Sequence, residues 1–447
     1  MSTYRKKRVF TDSPEPLPEL KTGDGLAFVL HRHDASRLHY DLRLEKNGVL
    51  RSWALPKGLP ERPNVKRLAV QTEDHPLDYL NFQGDIPKGA YGGGRMWVYA
   101  RGKFEIFREK KNGFYFRLNS NQLNGEYRMH EMKPGEWLLE RVDDPVNDWP
   151  KNPPQPMLAS QQRKVPSGDE LTYELKWDGI RALCCYDEDG IRLISRNGRD
   201  ISVQFQEITG AAFHAYNAVI DSEIVCFNDE GKPDFQKVLS RLNGKSRRQT
   251  GAYLYAFDLL YLDGKPVHRE PLWKRREWLK ETLKGTAEPI RLSKEEEDGK
   301  ALFKAVKEAG LEGIMAKKLE GKYHPGERTS DWIKVKVREV TDVFIIGYTK
   351  GKNERSKTFG ALHIAEWVGD TLVYRGKVGT GFSESLMKEI VKRLGKPQKK
   401  VPENLKNAPT SGVDDVWLKP GLMAEVRYAS LTRNGTFREP VFVNIKH

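Results

Sequence analysis

The stretch from Asp143 to Glu170 constrains this chain most. It carries Pro145, Pro150, Pro153, Pro154, Pro156 and Pro166 among polar residues. Proline lacks a backbone N–H and fixes φ, so this stretch cannot hold a long helix or a central strand. It predicts a linker between an N-terminal domain and the rest of the chain. No repeat of fixed period is visible. Lys294 to Asp298 reads as the solvated start of a helix.

The two sides differ in pattern. Before the linker, short alternating segments are separated by Gly and Pro: Ala27 to Leu30, Leu38 to Leu44, Arg67 to Val70 and Met96 to Tyr99. They predict a mostly β domain, a small barrel or sandwich. After the linker, strands alternate with helical stretches at Trp273 to Leu283 and Lys300 to Ala309. From about Thr341 the β pattern returns, with one amphipathic helix from Phe382 to Leu394. That content suits an OB-fold.

Composition narrows the class. With 447 residues, 38% of them hydrophobic, several domains can each bury a core, and a wholly disordered chain is excluded. The net charge of +14 favours an anionic partner, with nucleic acid first. Cys184, Cys185 and Cys226 form no CxxC pair. A four-cysteine zinc site is therefore impossible, and a reducing, cytoplasmic compartment is expected. No apolar run approaches the length of a membrane span. The basic start, Met1 to Arg8, lacks the apolar segment of a secretory signal.

The densest chemistry beyond the linker is Tyr173-Glu174-Leu175-Lys176-Trp177-Asp178-Gly179-Ile180-Arg181. A lysine ends an alternating strand, a turn-forming Asp-Gly follows, and Arg181 is placed to return toward it. Taken alone, this is equally an ordinary hairpin lysine. More follows in order. Ser195 to Arg199 offers cations, including Arg196, beside a turn. Glu223 sits in an apolar strand, and Tyr255-Ala256-Phe257-Asp258 offers an aromatic platform. Glu312 starts another apolar strand, and Lys334 and Lys336 share one face of a third. Singly, Phe257 reads as core, the two glutamates as paired buried acids and the two lysines as a solvated face.

This order resembles the covalent nucleotidyltransferase superfamily, and within it the ATP-dependent DNA ligases, over roughly residues 155 to 445. Lys-x-Asp-Gly-x-Arg at Lys176 to Arg181 is the specific core of the match. The resemblance implies that Lys176 attacks the α-phosphate of ATP. The amine must be neutral to do so, and nearby cations such as Lys334 and Lys336 favour that form while neutralising the phosphate. Glu223 and Glu312 suit a hard divalent ion, Mg²⁺ or Mn²⁺. Phe257 would stack on adenine. The resemblance assigns Glu174 to the adenine edge, and Arg181 and Arg196 to sugar and nicked-end contacts.

Two departures stand out. The third motif usually reads Asp-Gly-Glu, and Ser222 here replaces the glycine. Serine is tolerated there if φ is negative. The family usually ends on Arg-x-Asp-Lys, which orients the pyrophosphate. Phe437 to Phe442 resembles the preceding strand, but the sequence given stops at Asn444-Ile445-Lys446-His447. Lys446 stands where the arginine is expected, and lysine lacks its planar fork. Self-adenylylation is then expected to be slow.

The second cluster precedes the linker: His31-Arg32-His33-Asp34-Ala35-Ser36-Arg37-Leu38-His39-Tyr40-Asp41-Leu42-Arg43-Leu44-Glu45. From Leu38 the pattern alternates. His39, Asp41 and Arg43 share one face, with Leu38, Tyr40, Leu42 and Leu44 on the other. His33 is expected to fold over from the adjoining turn as a third ligand. Two histidines and a carboxylate bind a divalent transition metal, Mn²⁺ or Zn²⁺, and leave positions open for substrate. His75 and Tyr79 add polar groups, and Lys57 and Arg67 add cations able to hold a phosphate. The run Ala90-Tyr91-Gly92-Gly93-Gly94 has no Gly-Lys-Ser/Thr after it and reads as a turn.

This cluster resembles the 3′-phosphoesterase domain of the bacterial ligase D family, which acts in non-homologous end joining, over roughly residues 20 to 142. His33 to Glu45, Pro56-Lys57-Gly58, Glu73-Asp74-His75-Pro76, Tyr79 and Ile86 to Gly92 carry the match. It implies that His33, His39 and Asp41 hold the metal, most simply Mn²⁺. It also implies that Arg43, Lys57, Arg67 and His75 contact the phosphate, with Tyr79 nearby.

The expected architecture is multidomain. Residues 1–145 form a mostly β phosphoesterase barrel and 146–170 a linker and ligase entry. Residues 171–339 form an α+β, ATP-grasp-like nucleotidyltransferase domain, and 340–447 an OB-fold β-barrel. The expected activity is ATP-dependent sealing of 3′-hydroxyl/5′-phosphate nicks, with removal of 3′-phosphates or a 3′-terminal ribonucleotide. Expected partners are nicked DNA and 3′ ends, a Ku-like end-binding protein and a separately encoded polymerase, for a monomer with no membrane association. An RNA-processing nucleotidyltransferase is the rival enzyme. A non-catalytic DNA-end binder is the rival outside enzymes. An NAD-dependent ligase would need a cysteine zinc module.

Overall fold

The protein is described by a computed structural model, which covers residues 1–447 except 12, 122, 146, 245–250, 399, 433 and 447. The chain divides into two compact units. The first is residues 1–299 with 315–334, and the second is 300–314 with 335–447.

The first unit opens with an eight-stranded barrel. Its strands are β1 (Ala27–Asp34), β2 (Leu38–Lys46), β3 (Val49–Leu55), β4 (Lys66–Gln71), β5 (Gly94–Lys110), β6 (Gly113–Asn119), β7 (Gly125–Lys133) and β8 (Glu136–Arg141). Neighbours run β1-β2-β3-β4-β8-β7-β6-β5, and β5 pairs back onto β1. Closure pairs both edges of the sheet. The alternation works as physical chemistry requires. Phe28, Leu30, Tyr40, Leu42 and Leu44 join one buried cluster, and Val29, Leu50 and Tyr79 join another with Tyr4 and Phe82. The β1–β5 ladder shifts register between Leu30 and His31. A bulge at that point re-aims the residues that follow.

The same unit continues into the nucleotidyltransferase strands and helices. These are β9 (Leu158–Gln162), β10 (Leu171–Leu175), β11 (Ile180–Asp187), β12 (Gly190–Ser195), β13 (Ala218–Cys226), α1 (Phe235–Leu242), β14 (Ala252–Leu262) and α2 (Leu272–Thr282). After α3 (Gly299–Glu308), which apart from Gly299 is counted in the second unit, come β15 (Gly313–Lys318) and β16 (Arg328–Lys336), whose residues 315–318 and 328–334 are in the first. One sheet runs β12-β11-β13-β14 and another β9-β16-β15-β10. The proline-rich stretch thus contributes β9, and only as an edge strand, where a missing donor is tolerated.

The second unit holds β17 (Glu339–Lys350), β18 (Phe359–Val368), β19 (Thr371–Val378), α4 (Glu384–Arg393), β20 (Asp415–Tyr428) and β21 (Val441–Ile445). The strand path is β21-β20-β17-β18-β19. Ser383 caps α4 by accepting the Leu386 N–H. Met387 and Ile390 on α4 pack against Val343, Ile364 and Val426. This is the β-rich region with one helix that the pattern after Thr341 predicts. Among the described residues, no helix is long and apolar enough to cross a membrane.

Candidate active sites

In the barrel, β1 and β2 pair so that His33 faces His39 and His31 faces Asp41. His33 is therefore a strand residue and not a turn residue as expected. β1 runs four residues further than the apolar segment Ala27 to Leu30 suggests. Directly opposed residues bring their side chains within contact range. Ligand atoms of His33, His39 and Asp41 lie within 4.8 Å of one another. His33 Nδ1 is 3.6 Å from Asp41 Oδ2, and His39 Nε2 is 3.9 Å from Asp41 Oδ1. His39 Nδ1 donates to the Arg37 carbonyl at 3.0 Å, which leaves Nε2 as the lone-pair nitrogen facing the cluster. Among the described residues, His33 Nε2 is buried with no hydrogen-bond partner. These donors fit a divalent transition metal.

The surroundings are cationic. Arg43 donates to Asp41 Oδ2 at 3.2 Å. Burial opposes ionisation of Asp41, but the Arg43 charge and His33 outweigh it and hold the carboxyl well below its usual range. Burial, with the Arg43 charge, pushes His31 down to about 3. His31 donates to the Phe82 carbonyl at 3.1 Å and stands apart from the ligand set. Burial, Arg43 and Arg8 also keep His75 well below its ordinary value.

The cavity here is about 220 Å³ and is lined by His33, His39, Asp41, Arg43, His75 and Tyr79. It also takes Arg8, Glu15, Glu73 and Tyr91, which the sequence reading missed. Arg8 bonds Glu15 at 2.6 Å, Glu73 at 2.7 Å and His75 Nε2 at 3.2 Å. Tyr79 OH donates to Glu15. For Arg8 the signal was the basic run before Val9, which composition alone could not place in a site; Glu73 and Tyr91 lie inside the matched stretches Glu73 to Pro76 and Ile86 to Gly92.

Two expected phosphate contacts are elsewhere. Lys57 is exposed in the turn after β3, and neither it nor Arg67 lines this cavity. Arg67 pairs with Glu61 at 3.2 Å and lies 3.8 Å from Glu188. Carboxylates already neutralise it there. The glycine run turns at Gly92 with φ +76°, as its composition predicts.

The second cavity, about 660 Å³, draws its lining from both nucleotidyltransferase sheets. Lys176 enters from the β10–β11 connection, Arg181 from the start of β11, Arg196 from the turn after β12, and Glu223 from β13. Glu174, Phe257 and Lys334 also line it. Trp177 fixes the turn beside Lys176: its ring stacks on Tyr255 at 3.6 Å and its Nε1–H donates to Ser293. Arg181 is held by Asp221 at 2.9 and 2.5 Å, and Tyr323 donates to the same carboxylate. Glu174 is buried and accepts Lys317 at 2.8 Å. Lys317 lies 4.6 Å from the Phe257 ring centroid. Sequence reading missed Lys317 because it looked like the end of an apolar strand.

Ser222 follows extended backbone in β13, outside the positive-φ residues, and its hydroxyl donates to the Ala182 carbonyl at 2.7 Å. The glycine is not required at this position. Glu312 and Lys336 are absent from the cavity lining. They belong to the second unit, where Lys336 lies 3.3 Å from Glu312 and 2.9 Å from Glu439. Although burial opposes it, the Lys336 and Arg338 contacts bring Glu439 down to about 2. Lys446 pairs with Asp342 at 2.6 Å and approaches Glu425 at 3.6 Å within that unit.

Comparison with known proteins matches this arrangement domain by domain. Residues 31–131 match the DNA ligase D 3′-phosphoesterase domain, 156–336 the ATP-dependent DNA ligase domain, and 355–447 its C-terminal region. The multifunctional non-homologous end joining protein LigD of Mycolicibacterium smegmatis is 35% identical over 98% of this chain. The LigD of Pseudomonas aeruginosa is 32% identical over 100% of it. The chain spans 59% and 60% of the lengths of these relatives. The crystal structure of the M. tuberculosis LigD ligase domain is 27% identical, covers 67% of this chain and 96% of its own, and has a TM-score of 0.40. With a phosphoesterase domain ahead of both ligase regions, the chain belongs to the ligase D family.

Proposed function

We propose that this chain cleans DNA 3′ ends and then seals them, as an ATP-dependent DNA ligase with a 3′-phosphoesterase in non-homologous end joining. The observation that carries the reading is the presence of two separate cavities, one around His33, His39 and Asp41 and one around Lys176. Ligation needs a 3′-hydroxyl, and the first cavity has the groups to produce one.

In the barrel, His33, His39 and Asp41 would hold a divalent transition metal, Mn²⁺ being the one the family resemblance implies. When bound, that metal polarises the phosphoryl oxygen as a Lewis acid. Arg43 binds the terminal phosphate, and Arg8 holds His75 beside it by donating to Nε2. Tyr79 borders the site and is held by Glu15.

In the second cavity, the Lys176 amine attacks the α-phosphate of ATP. An N–P bond forms, the bridging P–O bond breaks, and pyrophosphate leaves. A 5′-phosphate oxygen then takes the AMP from Lys176, restoring the amine. The 3′-hydroxyl attacks that 5′-phosphate, and AMP leaves as the strand closes. Phe257 supports the adenine, Lys317 fixes Glu174 toward its edge, and Arg181 and Arg196 hold sugar and DNA end. Lys334 neutralises the α-phosphate, while Glu223 supplies a carboxylate for Mg²⁺ or Mn²⁺. A Ku-like end-binding protein and a polymerase are the partners this reading calls for.

The test is transfer of label from α-labelled ATP to the protein. Label on wild type and none on Lys176→Ala supports the reading. Equal labelling of both contradicts it. Labelling by GTP instead of ATP would favour an RNA-processing nucleotidyltransferase.

A further inference from the structure

β1 and β2 use their two faces for different purposes. His33, His39 and Asp41 converge on the metal cluster. The alternate positions Arg32, Asp34 and Tyr40 meet residues of the nucleotidyltransferase domain within the same compact unit. Asp34 accepts His214 Nε2 at 2.9 Å and Lys284 Nζ at 2.7 Å. Tyr40 OH donates to Asp263 Oδ2 at 2.5 Å. Arg32 has a fully buried side chain, donates to the His214 carbonyl at 2.5 Å, and lies 3.7 Å from Asp263.

The far side of these contacts is itself fixed. Asp263 accepts the backbone N–H groups of Tyr216 at 2.6 Å and Asn217 at 3.1 Å. The His214 N–H donates to the Thr282 carbonyl at 2.9 Å, at the end of α2. Apolar packing is continuous as well. Leu42 and Tyr99 of the barrel share one buried cluster with Leu262 and Trp278 of the nucleotidyltransferase domain.

His33 therefore lies between two residues that are both anchored on the other domain. A strand offers little slack between neighbours, so displacing Arg32 or Asp34 displaces the ligand between them. Metal affinity depends on ligands held in place by the shell behind them. Buried charges such as Arg32 and Asp263 are costly unless paired, and their directional contacts fix one arrangement.

We propose that His214, Asp263 and Lys284 of the nucleotidyltransferase domain are positioning residues for the phosphoesterase metal site, acting through Arg32, Asp34 and Tyr40. The ligase half is thus a structural part of the end-cleaning half. This rests on the assignment of His33, His39 and Asp41 as metal ligands. Coupling of this kind is reciprocal, so metal binding must also tighten the junction.

The experiment uses the full chain and Mn²⁺ alone. Binding is measured by the electron paramagnetic resonance of free Mn²⁺, with His39→Ala marking what binds outside the barrel. Lys284 is 60% exposed, so its variants keep the fold. Lys284→Glu sets a carboxylate against Asp34. It is expected to weaken barrel Mn²⁺ binding about tenfold, with Lys284→Arg restoring it and ATP labelling of Lys176 unchanged. Hydrogen exchange supplies a second reading that needs no junction variant. Amides of residues 212–217 in wild type are expected to exchange several-fold more slowly with Mn²⁺, and those of His39→Ala are not. Wild-type Mn²⁺ affinity in Lys284→Glu, with no exchange change in wild type, would overturn the coupling. Equal Mn²⁺ stoichiometry in wild type and His39→Ala would instead overturn the metal assignment, and the coupling with it.

Discussion

Arg8 and His75 lie 67 residues apart in sequence, yet Arg8 Nη2 donates to His75 Nε2 at 3.2 Å. The Arg8 side chain is only 4% exposed and spans Glu15 and Glu73 as well. Removing it frees the ring, takes the cation from Glu15 and leaves Glu73 paired with Lys7 at 2.9 Å. Arg8→Ala is expected to lower phosphoesterase kcat/KM by roughly a hundredfold, the scale of losing one oriented donor. Arg8→Lys should recover only part, because one ammonium cannot copy three directed contacts. Release of 3′-phosphate from a primer–template checks this, and unchanged activity in Arg8→Ala would refute it.

Lys265 makes stability depend on pH. It is fully buried, donates to the Tyr99 carbonyl and lies 5.0 Å from the Trp278 ring. Burial lowers its pKa from 10.5 to about 7. Between those values the unfolded chain keeps the proton and the folded chain does not, so stability rises with pH there. The slope is at most about 1.4 kcal/mol per pH unit. Below pH 7 the full penalty of the buried charge remains. Lys265→Met should flatten the rise between pH 7 and 10.5 in urea unfolding, whereas an unaltered slope would contradict it.

Arg275 and Asp258 form an ion pair with both side chains fully buried, at 2.7 Å. Asp258 directly follows Phe257, so this pair also anchors the strand that carries the ring into the second cavity. Arg275→Ala would leave a buried carboxylate unpaired, at a cost of about 3–5 kcal/mol. A fall in melting temperature with lost ATP labelling is expected. A double variant, Arg275→Met with Asp258→Leu, should recover much of the stability.

Ser222 is a smaller test. Its hydroxyl donates to the Ala182 carbonyl across the β11–β13 ladder. Ser222→Ala should cost about 1 kcal/mol. Ser222→Gly should cost more, since it adds strand flexibility to the same lost bond. Urea midpoints order the three proteins, and a more stable glycine variant would contradict this.

Strand periodicity made the metal cluster legible, because alternation alone places His39 and Asp41 on one face. His33 required the β1–β2 register, which residue pattern cannot supply. Arg8 and Glu15 reach the site from an irregular segment with no period to read. Arg67 shows the opposite failure. Its charge suggested phosphate, but Glu61 and Glu188, distant in sequence, claim it in the fold. Arg32 and Asp34 looked like further polar members of the histidine run. Their contacts with the other domain depend on tertiary packing across the proline-rich stretch.

The most direct test of the whole account uses one duplex nicked with a 3′-phosphate beside a 5′-phosphate, given to the full chain with ATP and Mn²⁺. Wild type should seal it. His39→Ala should fail on this nick yet seal one that already has a 3′-hydroxyl, and Lys176→Ala should remove the 3′-phosphate without sealing. Sealing of the 3′-phosphate nick by His39→Ala, or of either nick by Lys176→Ala, would contradict the account.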